Sequence, residues 1–137
     1  GRGKLAGDLG VLKVDVRPED GGKVRIGIPV QNPGDIHFWP TVRLEIAPKD
    51  SPAPPLEQVL GLGTDRILVM PGIERVVWTS LDRTRIGAGE YQARATLDYG
   101  GPQKVTKRYK LALQEMPGEG EGGGGAGNDG GNAGGAQ

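Results

Sequence analysis

The stretch Gly87-Ala88-Gly89-Glu90-Tyr91-Gln92-Ala93-Arg94-Ala95-Thr96-Leu97-Asp98-Tyr99 decides the fold. Tyr91, Ala93, Ala95, Leu97 and Tyr99 fall on one face, and Glu90, Gln92, Arg94, Thr96 and Asp98 on the other. A period of two predicts a strand with one dry and one wet face. Small Ala93 and Ala95 between bulky neighbours allow an opposing sheet to approach closely. The glycines before Tyr91 make a corner into this strand. Tyr91 either ties its hydroxyl to the backbone across that corner or is simply the first core aromatic. Upstream, Val69-Met70-Pro71-Gly72-Ile73-Glu74-Arg75-Val76-Val77-Trp78 turns at Pro71-Gly72 and enters a second strand, with Val76 and Trp78 on one face. That face is expected to be core.

Working outward, the same period recurs. Leu12, Val14 and Val16 alternate with Lys13, Asp15 and Arg17 in a first strand that Pro18 stops, and Asp20-Gly21-Gly22 supplies a tight hairpin turn. A second strand turns Val24, Ile26, Ile28 and Val30 inward. Pro29, in its outward set, lacks an N–H, so that end is expected at an edge or a bulge. Asn32-Pro33-Gly34-Asp35 is a turn by its chemistry. Beyond the aromatic patch Ile36-His37-Phe38-Trp39-Pro40, a third strand buries Val42, Leu44 and Ile46. The proline-rich stretch from Pro48 to Pro55 reads as a surface crossover between sheets.

One or two short strands are expected around Val59-Leu60 and Ile67-Leu68-Val69, and Ser80 to Arg85 reads as a loop. The last strand carries Val105, Tyr109, Leu111 and Leu113 on its apolar side. Lys107 shares that side, so either its ammonium reaches the rim or a bulge shifts the register. No long segment has helical periodicity, and turn signals recur at short intervals. The chain is therefore all-β, a sandwich of about seven strands. The predicted core includes Val14, Ile26, Ile28, Val30, Leu44, Trp78, Tyr91, Leu97 and Leu111.

Three regions follow. Residues 1–10 form an N-terminal arm or linker in which Leu5 and Leu9 are the only large apolar side chains, and residues 11–116 form the sandwich. Residues 117–137 form a glycine-rich tail, expected to be flexible because nothing in it can bury apolar area. The absence of an initiating methionine at Gly1 suggests a piece of a longer precursor.

The net charge is zero and the basic residues are scattered, which argues against nucleic acid as a partner. No apolar run approaches membrane-spanning length. With no cysteine, disulfides and thiolate metal sites are excluded. His37 is the only histidine, so a His-based metal site or a triad has little to draw on. Asp98 with Asp35 or Asp82 meets on a cation only if loops bring them together, and no calcium-loop spacing supports that. The GxGxxG at Gly120, Gly122 and Gly125 is a chance match within a glycine tract. No catalytic, metal or cofactor-binding residue is predicted, and the chain is read as no enzyme.

Several motifs together resemble a known family. Asn32-Pro33-Gly34-Asp35-Ile36-His37 is similar to its Asn-x-Gly-Asn-x-His turn, and Val69-Met70-Pro71-Gly72 to its Val-Leu-Pro-Gly turn. With Trp78, Gly89-Glu90-Tyr91 and Leu97-Asp98-Tyr99-Gly100, they are similar to the immunoglobulin-like, fibronectin-III-like domains of bacterial and archaeal secreted and cell-surface proteins. The likeness spans Val24 to Leu113 and departs after Pro40 and in the proline-rich stretch. It implies an immunoglobulin-like Greek-key sandwich serving as an extracellular or cell-surface structural or adhesive module.

The expected function is a non-enzymatic structural subunit whose partners are other copies of itself or neighbouring envelope proteins. A filament would arise if Leu5 and Leu9 of the arm filled a neighbour's open edge. The alternative is an adhesin or carbohydrate-binding module using the Phe38/Trp39 loop next to His37. Trp39 stacks on a sugar ring, and Phe38 either joins it or folds under the sandwich and plugs its end.

Overall fold

The computed structural model describes residues 3–17 and 21–115. Pro18 and Asp20 lie outside the described residues, as do the tail at 117–137 and its GxGxxG match. The described residues hold eight strands and no helix: β1 (Asp8–Leu9), β2 (Lys13–Val16), β3 (Lys23–Gln31), β4 (Thr41–Pro48), β5 (Leu56–Leu60), β6 (Glu74–Asp82), β7 (Gly89–Asp98) and β8 (Val105–Leu113).

Two antiparallel sheets enclose one core. In the first, β6 pairs with β3 over its whole length, from Lys23↔Asp82 to Gln31↔Glu74. A strand has only two edges, so β1 and β2 follow one another along the other side of β3. The second sheet runs β5-β4-β7-β8. The links from β3 to β4, from β5 to β6 and from β6 to β7 each pass from one sheet to the other. Ile26, Ile28, Val42, Leu44, Ile46, Leu97 and Leu111 are buried between the sheets, and Ala93 and Ala95 are buried with them on β7. Each large side chain moved out of water there contributes about 1.5–3 kcal/mol.

Local chemistry explains several junctions. Tyr91 donates its hydroxyl to the Gly87 carbonyl at 2.8 Å, which ties the corner that starts β7. Gly21 and Gly22 take φ of 70° and 79° in the turn between β2 and β3, a region that favours glycine.

Pro29 sits differently from expectation, because β3 is an inner strand paired on both sides. The N and C=O of a strand residue point to the same side. The Pro29 carbonyl accepts from Gly10 N at 2.9 Å, so its missing N–H faces the break between β1 and β2. The irregularity lies in the neighbour rather than in β3. The Pro48-to-Pro55 stretch also differs from its reading. It joins β4 to β5, which pair antiparallel within one sheet from Val42↔Leu60 to Ile46↔Leu56. It is the loop of a hairpin, not a crossover.

Trp78 is not a core residue. Register with β3 turns Val77, Thr79 and Leu81 inward opposite Ile28, Ile26 and Val24, so Val76 and Trp78 face outward opposite Pro29 and Gly27. β6 also continues to Asp82, through part of the stretch read as a loop. Trp78 is 39% exposed. Its indole lies across Gly27, where a Cβ would stand 2.9 Å from two ring carbons, and the Arg25 guanidinium sits 4.5 Å from its centroid. A glycine and a cation cover the ring in place of the core.

The segment read as an arm lies along the sandwich from Gly3 onward. Lys4 and Asp35 exchange bonds, with Asp35 N donating to the Lys4 carbonyl at 2.7 Å and Lys4 N to Asp35 Oδ2 at 3.3 Å. Leu5 packs against the core, and Leu9 is 1% exposed within it. From the other side β8 clasps the same segment. Lys107 Nζ donates to the Leu9 carbonyl at 2.9 Å and stands 3.5 Å from Asp8 Oδ1, and the Tyr109 hydroxyl donates to the Gly10 carbonyl at 2.7 Å. The β7–β8 register runs unbroken past Lys107, so its ammonium reaches the rim without a bulge.

Two outcomes are expected. In a Trp39→Phe background Trp78 is the only indole, and Gly27→Ala should push it off the sheet. Its emission should shift to the red, with about 1–3 kcal/mol of stability lost to overpacking; unchanged emission would show that the indole does not rest on Gly27. The second concerns Tyr109. Burial, followed by the Asp8 carboxylate, raises its phenol above the ordinary 10.0. A raised folded value favours the protonated state, so this stabilisation is full below pH 10 and is lost as pH rises through the folded value. Denaturant midpoints should place Tyr109→Phe below the native chain at pH 8, and the gap should close in strongly alkaline solution. A constant gap would mean that the phenol does not titrate in the clasp.

Candidate functional site

One end of the sandwich is built on Asn32. This residue is 2% exposed, a position that an amide tolerates only when its polar atoms are bonded. Its Nδ2 donates to the Ile36 carbonyl at 2.9 Å and to the Val69 carbonyl at 3.0 Å, and its Oδ1 accepts from Gly34 N at 3.0 Å. Its backbone N donates to the Ile73 carbonyl and its carbonyl accepts from Gly72 N. One side chain and one peptide thus hold the turn after β3 against the turn before β6. Gly34 completes the arrangement, because a Cβ there would lie 2.3 Å from the Lys4 carbonyl oxygen.

Within this frame Phe38 and Val69 form an isolated antiparallel bridge, with N-to-O distances of 3.1 and 3.0 Å. Neighbours in extended chain point to opposite sides. Phe38 turns in, 4% exposed, with its ring 5.5 Å from that of Tyr99. Trp39 therefore turns out and is 46% exposed. The Arg66 guanidinium lies 4.5 Å from its ring centroid. His37, on the other side of Phe38, is also exposed, as are Ile36, Leu62, Met70 and Ile73 in the connecting segments.

The predicted interaction residues thus divide. His37 and Trp39 are on the surface beside the bridge, Phe38 lies beneath it, and Leu5 and Leu9 are held against the chain's own sandwich. Arg66 went unnoticed in the sequence; its contact with Trp39 spans 27 positions, and no local pattern announces it.

The three aspartates considered for a cation are used separately. Asp35 Oδ2 accepts from Lys4 N, Asp82 Oδ1 from Thr84 N at 3.2 Å, and Asp98 Oδ1 from Gly100 N at 3.1 Å. Among the described residues no group of three or more His, Cys, Asp or Glu is placed to hold a metal. At another site Arg83 is buried, with Nη2 donating to the Gln114 carbonyl at 2.6 Å, while its Nε and Nη1 have no partner among the described residues.

No protein-family model and no curated protein matches this chain. Among solved structures, the chain is similar to wild-type OgpA from Akkermansia muciniphila, at 9% identity and a TM-score of 0.52, over 80% of this chain and 28% of that one. A β-glucosidase from Kluyveromyces marxianus is 18% identical over 77% of this chain and 14% of its own, with a TM-score of 0.48. Spo0M, a sporulation control protein from Bacillus subtilis, is 20% identical over 79% and 51%, with a TM-score of 0.39. The first likeness is one of fold, and this chain spans little more than a quarter of that protein.

Asn32→Ala should lower unfolding stability by about 2–4 kcal/mol, because the Ile36 carbonyl and the Gly34 N–H lose their partner and the Val69 carbonyl keeps only its bond from Phe38 N. A loss under about 0.5 kcal/mol in a denaturant titration would mean that water replaces the amide and that the end is held by other contacts.

Proposed function

We propose that this chain is a non-catalytic, immunoglobulin-like Greek-key module of an extracellular or cell-surface assembly, and that it recognises its partner through the Trp39 loop. The pairing order, the three passages between sheets and the Tyr91–Gly87 tie support the immunoglobulin-like reading. Its share of OgpA, about a quarter of that chain, is the size relation of a module to a larger protein. The observation that carries recognition is Trp39, a large aromatic held outward on a rigid base. Burial of Phe38 and the Phe38–Val69 bridge fix its backbone, and Arg66 stacks on its ring. A pre-positioned indole loses little entropy on binding and suits the flat face of a sugar ring.

The structural-subunit reading remains as the second. Donation of the arm to a neighbour would require Leu9 to leave its own core and Lys107 and Tyr109 to release the chain. That is a domain swap, not the simple lending of a loose end.

Glycan-array binding compared between the native chain and Trp39→Ala, with sedimentation over a range of concentrations, separates the readings. Binding that falls about tenfold or more in the variant, as expected for an interface anchor, supports the loop. Polymers without glycan binding would support the structural subunit and sink the loop reading.

A further inference from the structure

The outer face of the second sheet carries charge that folding does not explain. Strand register places Glu45, Arg94 and Arg108 in one row across β4, β7 and β8, and Ala47, Gln92 and Lys110 in the next. Arg94 and Arg108 are direct cross-strand partners, an arrangement that opposes pairing because like charges meet within about 4.5–5.5 Å at Cβ. Glu45 engages Arg94 at 2.8 Å, and Glu57, the cross-strand neighbour of Glu45, is taken by Arg43. Nearby Glu90 faces Lys49 at 3.5 Å. Arg108 and Lys110 are exposed and form no ion pair among the described residues.

The two rows line a groove of about 390 Å³, with Ala47 and Pro55 as its apolar surfaces. Three cations and one already paired carboxylate border it, leaving a surplus of two positive charges. Arg108 and Lys110 are alternate residues of one strand, so their stems stand roughly 6.5–7 Å apart on the same face.

From this juxtaposition we infer that the β4–β7–β8 face binds a carboxylate-bearing sugar, an acidic glycan of the uronate class. Arg108 and Lys110 would take the carboxylate, Arg108 through paired donors. Gln92 offers both a donor and an acceptor to ring hydroxyls. Ala47 and Pro55 give the ring an apolar surface, and the volume lies within the range of small-ligand sites. An acidic peptide fits less well. β4 and β7 are paired along both edges, so backbone is free only along the outer edge of β8, and recognition on the face itself rests on side chains. The inference is independent of the Trp39 loop, which is formed by other segments.

The test is calorimetric titration of the full chain with oligogalacturonate at low ionic strength. A neutral glucan oligomer of similar length and poly-glutamate serve as comparisons. Binding to the uronate oligomer alone is expected, weakening as salt is added. It should fall at least about tenfold in the Arg108→Gln/Lys110→Gln double variant, the loss expected from one good charged contact. Both side chains are exposed, and a matching thermal melt confirms that the variant folds. Trp39→Ala should bind the oligomer as the native chain does, so failure of the loop proposal and failure of this one are distinguishable. Absence of binding by the native chain, undiminished binding by the double variant, or equal binding of the neutral oligomer overturns the inference. Equal or tighter binding of poly-glutamate also overturns it and makes this a peptide-binding face.

Discussion

The buried amide of Asn32 is the constraint on which one end of the molecule depends. A sandwich must pass its chain from sheet to sheet, and each passage leaves peptide groups that no ladder can pair. Here the turn leaving β3 and the turn entering β6 meet, and Asn32 satisfies both with its side chain and its peptide. An amide suits this place because it offers two donors and an acceptor without charge. A carboxylate would have no donor for the two carbonyls, and an aliphatic side chain would orphan the Ile36 carbonyl and the Gly34 N–H and leave the Val69 carbonyl only its bond from Phe38 N. With that end fixed, Phe38 meets Val69, and the outward direction of Trp39 follows from the backbone.

The N-terminal segment shows the opposite solution to the same problem. β1 covers only two residues of β3 before Pro29 interrupts the ladder, too little to hold a segment by backbone pairing. Side chains of β8 complete the attachment from across the sandwich, Lys107 and Tyr109 each bonding a carbonyl of the passing chain. Gly7 permits close passage over Tyr99, since a Cβ there would stand 2.8 Å from the ring. Leu9 thereby reaches the core. The first segment closes the gap between the two sheets, so any donation of it to another copy would have to give up this intramolecular use.

What the sequence made legible is what local period and turn chemistry control. The alternation from Tyr91 to Tyr99 placed Ala93, Ala95 and Leu97 inward, and the glycines before Tyr91 pointed to the tie with Gly87. Trp78 was misread because Val76-Val77-Trp78 is apolar on both faces, so the period there is silent. Pairing with β3 decides it, and the outward Gly27, a strand glycine where another group approaches closely, was the available signal. Pro29 excluded one N–H but could not say that the partner, not its own strand, would be broken. The proline-rich loop suited either a hairpin or a crossover, and the β4–β5 register chose. Arg66 and the charge rows on the second sheet were invisible for one reason: their neighbours are distant in sequence.

The charged candidate surface follows from how the two sheets treat their outer faces. On the first sheet the one large aromatic, Trp78, is laid flat over Gly27 under Arg25, which takes much of its surface from solvent and leaves little to project toward a partner. On the second sheet small and charged side chains alternate, and the carboxylates nearest the centre are consumed by Arg43 and Arg94. The uncompensated cations therefore collect on β8, the strand that also clasps the N-terminal segment through its inward side chains. With Lys107 and Tyr109 drawn inward to β1, the outward Arg108 and Lys110 stand on a backbone restrained from both the β7 ladder and the clasp. The backbone that carries these cations is pre-organised, so a ligand meeting them has only their side chains to order, a smaller loss than at a loop.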